Sequence, residues 1–135
     1  MNFEHVAFNV RDPQSLAGWL EANLDLEIVS AAGPPQHGQF LADTAGRTMI
    51  EIYHNAAAPF LDAMRLDPAA LHVAFAVEDV AAARSRLVGA GATAVGEVTG
   101  NAAGDQFAIV RAPGGLPLQL VRRAKPLLPP PAAAS

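Results

Sequence analysis

His5-Val6-Ala7-Phe8-Asn9-Val10-Arg11-Asp12 returns 67 residues later as His72-Val73-Ala74-Phe75-Ala76-Val77-Glu78-Asp79, with six of the eight positions identical. An offset near half of a 135-residue chain points to two copies of one supersecondary unit rather than an array of short repeats. Each copy alternates as a strand does, with successive side chains on opposite faces. Val6, Phe8 and Val10 then form one bulky face, and His5, Ala7 and Asn9 the other. In the second copy Val73, Phe75 and Val77 oppose His72, Ala74 and Ala76. A histidine beside small residues leaves room for a ligand.

Working outward, residues 3–10 read as the first strand. Asp12-Pro13 starts a helix, with the carboxylate at the N-cap and proline at the first helical position. The helix over 13–24 places Leu16, Trp19, Leu20 and Leu24 on one stripe. Strands follow at 26–30, 37–43 and 47–54, the last two joined by the turn Asp43-Thr44-Ala45-Gly46. Residues 56–70 form a linker with a helical turn near Phe60 to Met64. The order then repeats: a strand at 70–77, a helix capped by Asp79 and ended by Gly89-Ala90-Gly91, and strands near 93–99, 105–111 and 116–122. The fold class is α+β, with modules at about 1–55 and 71–125 in one domain. The proline- and alanine-rich tail, 126–135, is expected to be disordered.

The histidine faces acquire partners from the last strand of each module. Met49-Ile50-Glu51-Ile52-Tyr53 sets its isoleucines against Glu51 and Tyr53, and Pro117-Leu118-Gln119-Leu120-Val121 sets its leucines against Gln119. A carboxylate between core-forming isoleucines is costly on a dry face unless it is paired or bound to a metal. Two imidazoles, one carboxylate and one amide oxygen suit a divalent ion: nickel, cobalt, zinc, iron or manganese. Composition bounds the rest. There is no cysteine, so disulfides and thiolate sites are excluded. The net charge of −4, with no basic cluster, argues against nucleic-acid binding. No apolar run reaches the roughly 18 residues of a membrane span, and the first twenty residues lack a signal-peptide order. A cytoplasmic protein is expected.

The motifs HVAFNV, MIEIYHN, LHVAFAV and APGGLPLQLV, over about residues 3–123, resemble the vicinal oxygen chelate superfamily. This superfamily includes glyoxalase I, methylmalonyl-CoA epimerase, extradiol dioxygenases and bleomycin-resistance proteins. The resemblance implies two βαβββ modules in a pseudo-two-fold arrangement, their sheets forming one open curved cleft. It implies metal ligation by His5, Glu51, His72 and Gln119. The eighth-strand position is usually glutamate, so Glu51 is left as the candidate catalytic base or acid. Glyoxalase I usually has an arginine where Asn9 stands, which weakens a glutathione substrate, whereas Asn55 matches a glyoxalase I asparagine. Asn9, Tyr53, Asn55 and Phe107 are the candidate substrate contacts, with packing as the competing role for Phe107. The implied activity is a metal-dependent isomerase or lyase moving a proton beside a carbonyl or enolate oxygen of a small molecule. The alternatives are an extradiol-type dioxygenase and a non-catalytic, drug-binding protein. Small members of this superfamily are commonly homodimers, so a homodimer is expected.

Overall fold

Aspartate caps begin both helices of the computed structural model, which describes residues 1–129; residues 130–135 of the expected tail lie outside the described residues. Asp12 precedes α1 (Pro13–Asn23), and its carboxylate accepts the Ser15 N–H at 3.0 Å. Those bonds from Ser15 hold the Asp12 carboxyl below its ordinary range. Asp79 likewise accepts from Ala82 at the start of α2 (Val80–Gly89). Beyond α2 the Gly91 N–H reaches the Val88 carbonyl and the Ala92 N–H reaches that of Leu87. This is a Schellman ending, and the φ of 110° at Gly91 is one that glycine adopts without strain.

The strands are β1 (His5–Asn9), β2 (Leu26–Ala31), β3 (Gln39–Asp43), β4 (Met49–Tyr53), β5 (Val73–Ala76), β6 (Thr93–Gly100), β7 (Gln106–Arg111) and β8 (Pro117–Arg122). A short 3₁₀ turn spans Ala63–Arg65. Two four-stranded sheets result, ordered β1-β4-β3-β2 and β5-β8-β7-β6. In each, the first strand pairs in parallel with the last, and the other pairings are antiparallel. Two βαβββ modules are therefore present, in an α+β fold. The chain divides into compact units at Ala63/Met64, within the stretch read as a linker. No described helix is long and apolar enough to cross a membrane.

In the first unit, α1 lies on the sheet face carrying Phe8, Leu41, Ile50 and Ile52, all buried. The helix buries Pro13, Ala17 and Leu20. The expected stripe is thus rotated: Ala17 lies at its centre, while Leu16 and Trp19 are half-buried at its margin. A small residue at the centre lets the helix backbone approach the sheet. In the second unit, Val80 and Leu87 of α2 are buried, as are Ala108, Val110, Leu118 and Leu120 of the sheet. The β7–β8 hairpin is fitted closely to the chain entering this unit. A Cβ at Gly115 would stand 2.6 Å from Met64 Sδ and 2.8 Å from Met64 N, and its φ is +104°. Arg111 fastens the same segment, donating to the carbonyls of Gly115 and Leu66.

Leu118 is fully buried, so Leu118→Ala is expected to lower unfolding stability by about 2–5 kcal/mol, read by chemical denaturation. Asp105 gives a pH-dependent counterpart. Its carboxylate accepts the Ala124 N–H, the Asn101 amide and the Arg123 guanidinium. These bonds, led by that from Ala124, hold its pKa below the ordinary 3.8. A carboxyl depressed on folding stabilises above its unfolded pKa and loses that contribution as pH falls through the folded value. Asp105→Asn should therefore melt below the unsubstituted protein at neutral pH, and the gap should close as pH falls below the ordinary carboxylate value.

Candidate functional site

The strand pairing decides which side chains meet. His5 is level with Met49 across the parallel β1/β4 pair, and Ala7 with Glu51. Glu51 is therefore diagonal to His5, two residues further along, on the face opposite Ile50 and Ile52. In the second unit Val73 is level with Leu118 and Ala74 with Gln119. Extending that register back one residue sets His72 level with Pro117 and diagonal to Gln119. The second strand pair is offset by one more residue than the first. This cancels the one-residue difference in sequence spacing, so both modules place a histidine and an oxygen-bearing residue alike. His72 lies just before β5 and is exposed, not within the strand as its sequence suggests.

Around His5 the contacts are specific. Glu4 Oε2 stands 2.6 Å from Nδ1, and Glu51 Oε2 stands 3.4 Å from Nε2. The carboxylate of Glu4 can only accept, so Nδ1 carries a hydrogen and donates it. Nε2 and Glu51 Oε2 then face each other at a separation longer than a good hydrogen bond. Such a pair is favourable only with a cation, proton or metal, between its atoms. Donors held about 2.0–2.2 Å from one tetrahedral ion stand roughly 3.4 Å apart, so the separation fits a chelating pair. His72 shows the same arrangement with a neutral backer: its Nδ1–H donates to the Pro68 carbonyl at 2.7 Å. A metal-binding imidazole is commonly held by its other nitrogen in this way. Each unit thus presents two of the four expected donors. Among the described residues, no group of three or more His, Cys, Asp or Glu side chains is placed to hold a metal.

A cavity of about 280 Å³ opens within the first unit, bounded by Ser30, Gln36, Phe40, Glu51, Tyr53 and Asn55 among others. Ser30, Phe40 and Glu51 are register partners in turn across β2, β3 and β4. The His5 ring meets Phe40 edge-on at 5.5 Å. Tyr53 and Asn55 line this space, as the sequence suggests. Asn9 is engaged differently: its amide donates to the carbonyls of Asn55, Ala58 and Pro59 and accepts from the Asn55 N–H. It shapes the loop that carries Asn55. Phe107, in the second unit, is half-buried beneath the Arg123 guanidinium, 5.2 Å from its centroid. His54 donates from Nδ1 to the Arg11 carbonyl and packs on Phe60.

Sequence reasoning missed Glu4, Ser30 and Gln36. Glu4 was legible in principle, since a carboxylate immediately before the strand histidine is a ready imidazole partner. Ser30 was not, because it reaches this face only through a β-bulge: the register passes from Ile28–Leu41 to Ser30–Phe40, leaving Val29 unpaired.

Comparison with known proteins agrees with this architecture. The family profile of the glyoxalase-like domain matches residues 5–121. An ethylmalonyl-CoA/methylmalonyl-CoA epimerase from Cereibacter sphaeroides is 33% identical over 97 residues, covering 68% of this chain and 72% of that protein. Among solved structures, a glyoxalase family protein from Bacillus cereus superposes with a TM-score of 0.66 at 22% identity, covering 93% of this chain and 94% of that one. A glyoxalase I mutant from Zea mays gives a TM-score of 0.72 at 18% identity over 92% of this chain and 46% of the maize chain. With the profile spanning both modules, the chain belongs to the glyoxalase-like domain family of the vicinal oxygen chelate superfamily.

Proposed function

We propose that this chain is a metal-dependent isomerase or lyase in which Glu51 moves a proton at a carbon beside a carbonyl. His5, Glu51, His72 and Gln119 are its donors to a divalent cation: nickel, cobalt, zinc, iron or manganese. The observation that carries the reading is the His5–Glu51 contact, an Nε2 and a carboxylate oxygen facing each other at 3.4 Å with the other imidazole nitrogen already committed to Glu4. The bound ion supplies Lewis-acid stabilisation of charge developing on a carbonyl oxygen.

The chain's own residues supply the rest. Glu51 is the one carboxylate of the four, and Gln119 cannot accept a proton at neutral pH. Glu51 also borders the cavity, so the same side chain faces both His5 and a ligand held there. Phe40 screens one side of this pair with its ring. Glu4 keeps the His5 ring turned with Nε2 toward Glu51. The Cereibacter relative, named as an epimerase, fits this proton-transfer class.

Two measurements test the reading. Protein purified without a tag is expected to bind one divalent ion per chain by elemental analysis and cobalt titration, and failure to bind any of the five ions would overturn it. Glu51→Gln is expected to slow solvent deuterium exchange at the α-carbon of a turned-over carbonyl compound by about 10²–10⁴-fold. Glu4 offers a check independent of turnover. Glu4→Ala should weaken cobalt binding by about 10–100-fold, with Glu4→Gln between it and the unsubstituted protein. In the metal-free protein, ¹⁵N NMR should show His5 Nδ1 losing its proton preference in Glu4→Ala only.

A further inference from the structure

We infer that Arg111 is a positioning residue for His72. It holds the connection over residues 66–71 in place, so that the Pro68 carbonyl keeps the His72 ring in one tautomer and leaves Nε2 for a ligand. This deepens the proposed function and rests on the reading of His72 as one of the four donors. The need follows from where His72 stands. It is exposed and lies one residue before β5, whose pairing with β8 begins at Val73. Its Nδ1–H donates to the Pro68 carbonyl at 2.7 Å. That carbonyl belongs to a connection outside the strands and helices, and an acceptor on loose backbone would let the ring turn and exchange tautomers. His5 is held differently, by the carboxylate of the adjacent Glu4.

Local bonds and one long-range clamp make the connection firm, all within the second unit. Asp67 Oδ1 accepts the Ala69 N–H at 2.8 Å, and the Asp67 carbonyl accepts from Ala70 at 2.9 Å and from Leu71 at 3.3 Å. An aspartate closes such a turn through its own side chain. Continued helically, the turn would offer the Pro68 carbonyl to the His72 N–H; the His72 ring takes it instead. Immediately before the turn, the Leu66 carbonyl accepts from Arg111 Nη2 at 2.8 Å, while Arg111 Nη1 donates to the Gly115 carbonyl at 3.1 Å. One planar guanidinium thus ties the connection to the β7–β8 hairpin. Lysine lacks the planar fork that spans the two carbonyls. Register explains why this arginine can serve. Buried Ala108 and Val110 put Ile109 and Arg111 on the other face of β7, with Ile109 level with Gln119 and Arg111 level with Pro117. The β5/β8 register, extended back one residue, sets His72 level with Pro117 as well. Arg111, Pro117 and His72 form one row, two strand spacings or about 10 Å from end to end. Both outer members of the row turn to residues 66–68.

The test reads the ring first and the metal second. Metal-free, ¹⁵N-labelled full-length protein is compared by NMR with Arg111→Met, Arg111→Lys, Asp67→Ala and Leu87→Ala, in alkaline buffer where imidazoles are ordinarily neutral. The unsubstituted protein is expected to carry the His72 hydrogen on Nδ1. Arg111→Met and Asp67→Ala should each give a mixture of His72 tautomers with His5 unchanged, and Arg111→Lys should fall between. In a Co²⁺ titration the first two should bind about five- to tenfold more weakly, near the lower end of the effect of losing an imidazole's partner outright. Leu87, fully buried in α2, supplies the control: Leu87→Ala should lower unfolding stability and leave the His72 tautomer unaltered. Asp67 is exposed, so its substitution spares the core and decides the matter if Arg111→Met does not fold. One retained tautomer in the variants overturns the inference, with or without weaker Co²⁺ binding. A tautomer mixture in the unsubstituted protein, or an equal change in Leu87→Ala, does the same. If the unsubstituted protein binds no Co²⁺, the metal reading falls and the ring measurement still decides the role of Arg111.

Discussion

Parallel pairing of the first strand of each module with its last is the constraint on which the site depends. Because β1 runs beside β4 with His5 level with Met49, Glu51 must emerge diagonal to His5 on the face away from Ile50 and Ile52. A slip of one residue would exchange those faces. The carboxylate would then enter the apolar layer beneath α1, and the isoleucines would face solvent. Burying an unpaired charge costs far more than any single contact recovers, so the hydrophobic core itself enforces the placement of the polar pair. The β5/β8 pair repeats this logic with Leu118 and Leu120 as anchors and Gln119 between them.

The two modules are nevertheless unequal in chemistry. One histidine is backed by a carboxylate, Glu4, and the other by a peptide carbonyl, that of Pro68. An ionised acceptor makes the stronger hydrogen bond, so the first imidazole is the more firmly oriented. The first module also carries Glu51, the one carboxylate of the four, and the cavity beside it. The second module contributes a neutral amide at the matching place. The two modules offer equivalent positions, and a carboxylate stands in one of them and an amide in the other.

Much of this was legible in the sequence. The repeated octapeptide and its alternation gave the strand faces, and Asp12-Pro13 and Asp79 marked both helix starts. The isoleucines around Glu51 and the leucines around Gln119 identified which face is polar. What was not legible depended on register and on backbone irregularity. The bulge after Ile28 exchanges a valine for a serine on the cavity wall, and period-two reading carries straight through it. Asn9 lies on the histidine face, yet its amide is absorbed by the loop from Asn55 to Pro59, a contact 46 to 50 residues distant in sequence. The helix stripe was misplaced because size alone favoured Leu16 and Trp19, whereas close helix–sheet approach favours Ala17. The strand expected to include His72 begins one residue after it, at Val73, and the histidine ring turns back to the Pro68 carbonyl.

The proposal that His5, Glu51, His72 and Gln119 hold one ion is tested most directly by paramagnetic NMR. Substoichiometric Mn²⁺ added to ¹⁵N-labelled protein broadens signals from nuclei close to the bound ion. The expected result is loss of the signals of His5, Glu51, His72 and Gln119 together, at one ion per chain, with Asn101 and Gly46 left sharp. Broadening limited to His5 and Glu51, or spread over the acidic surface without saturation, would contradict it.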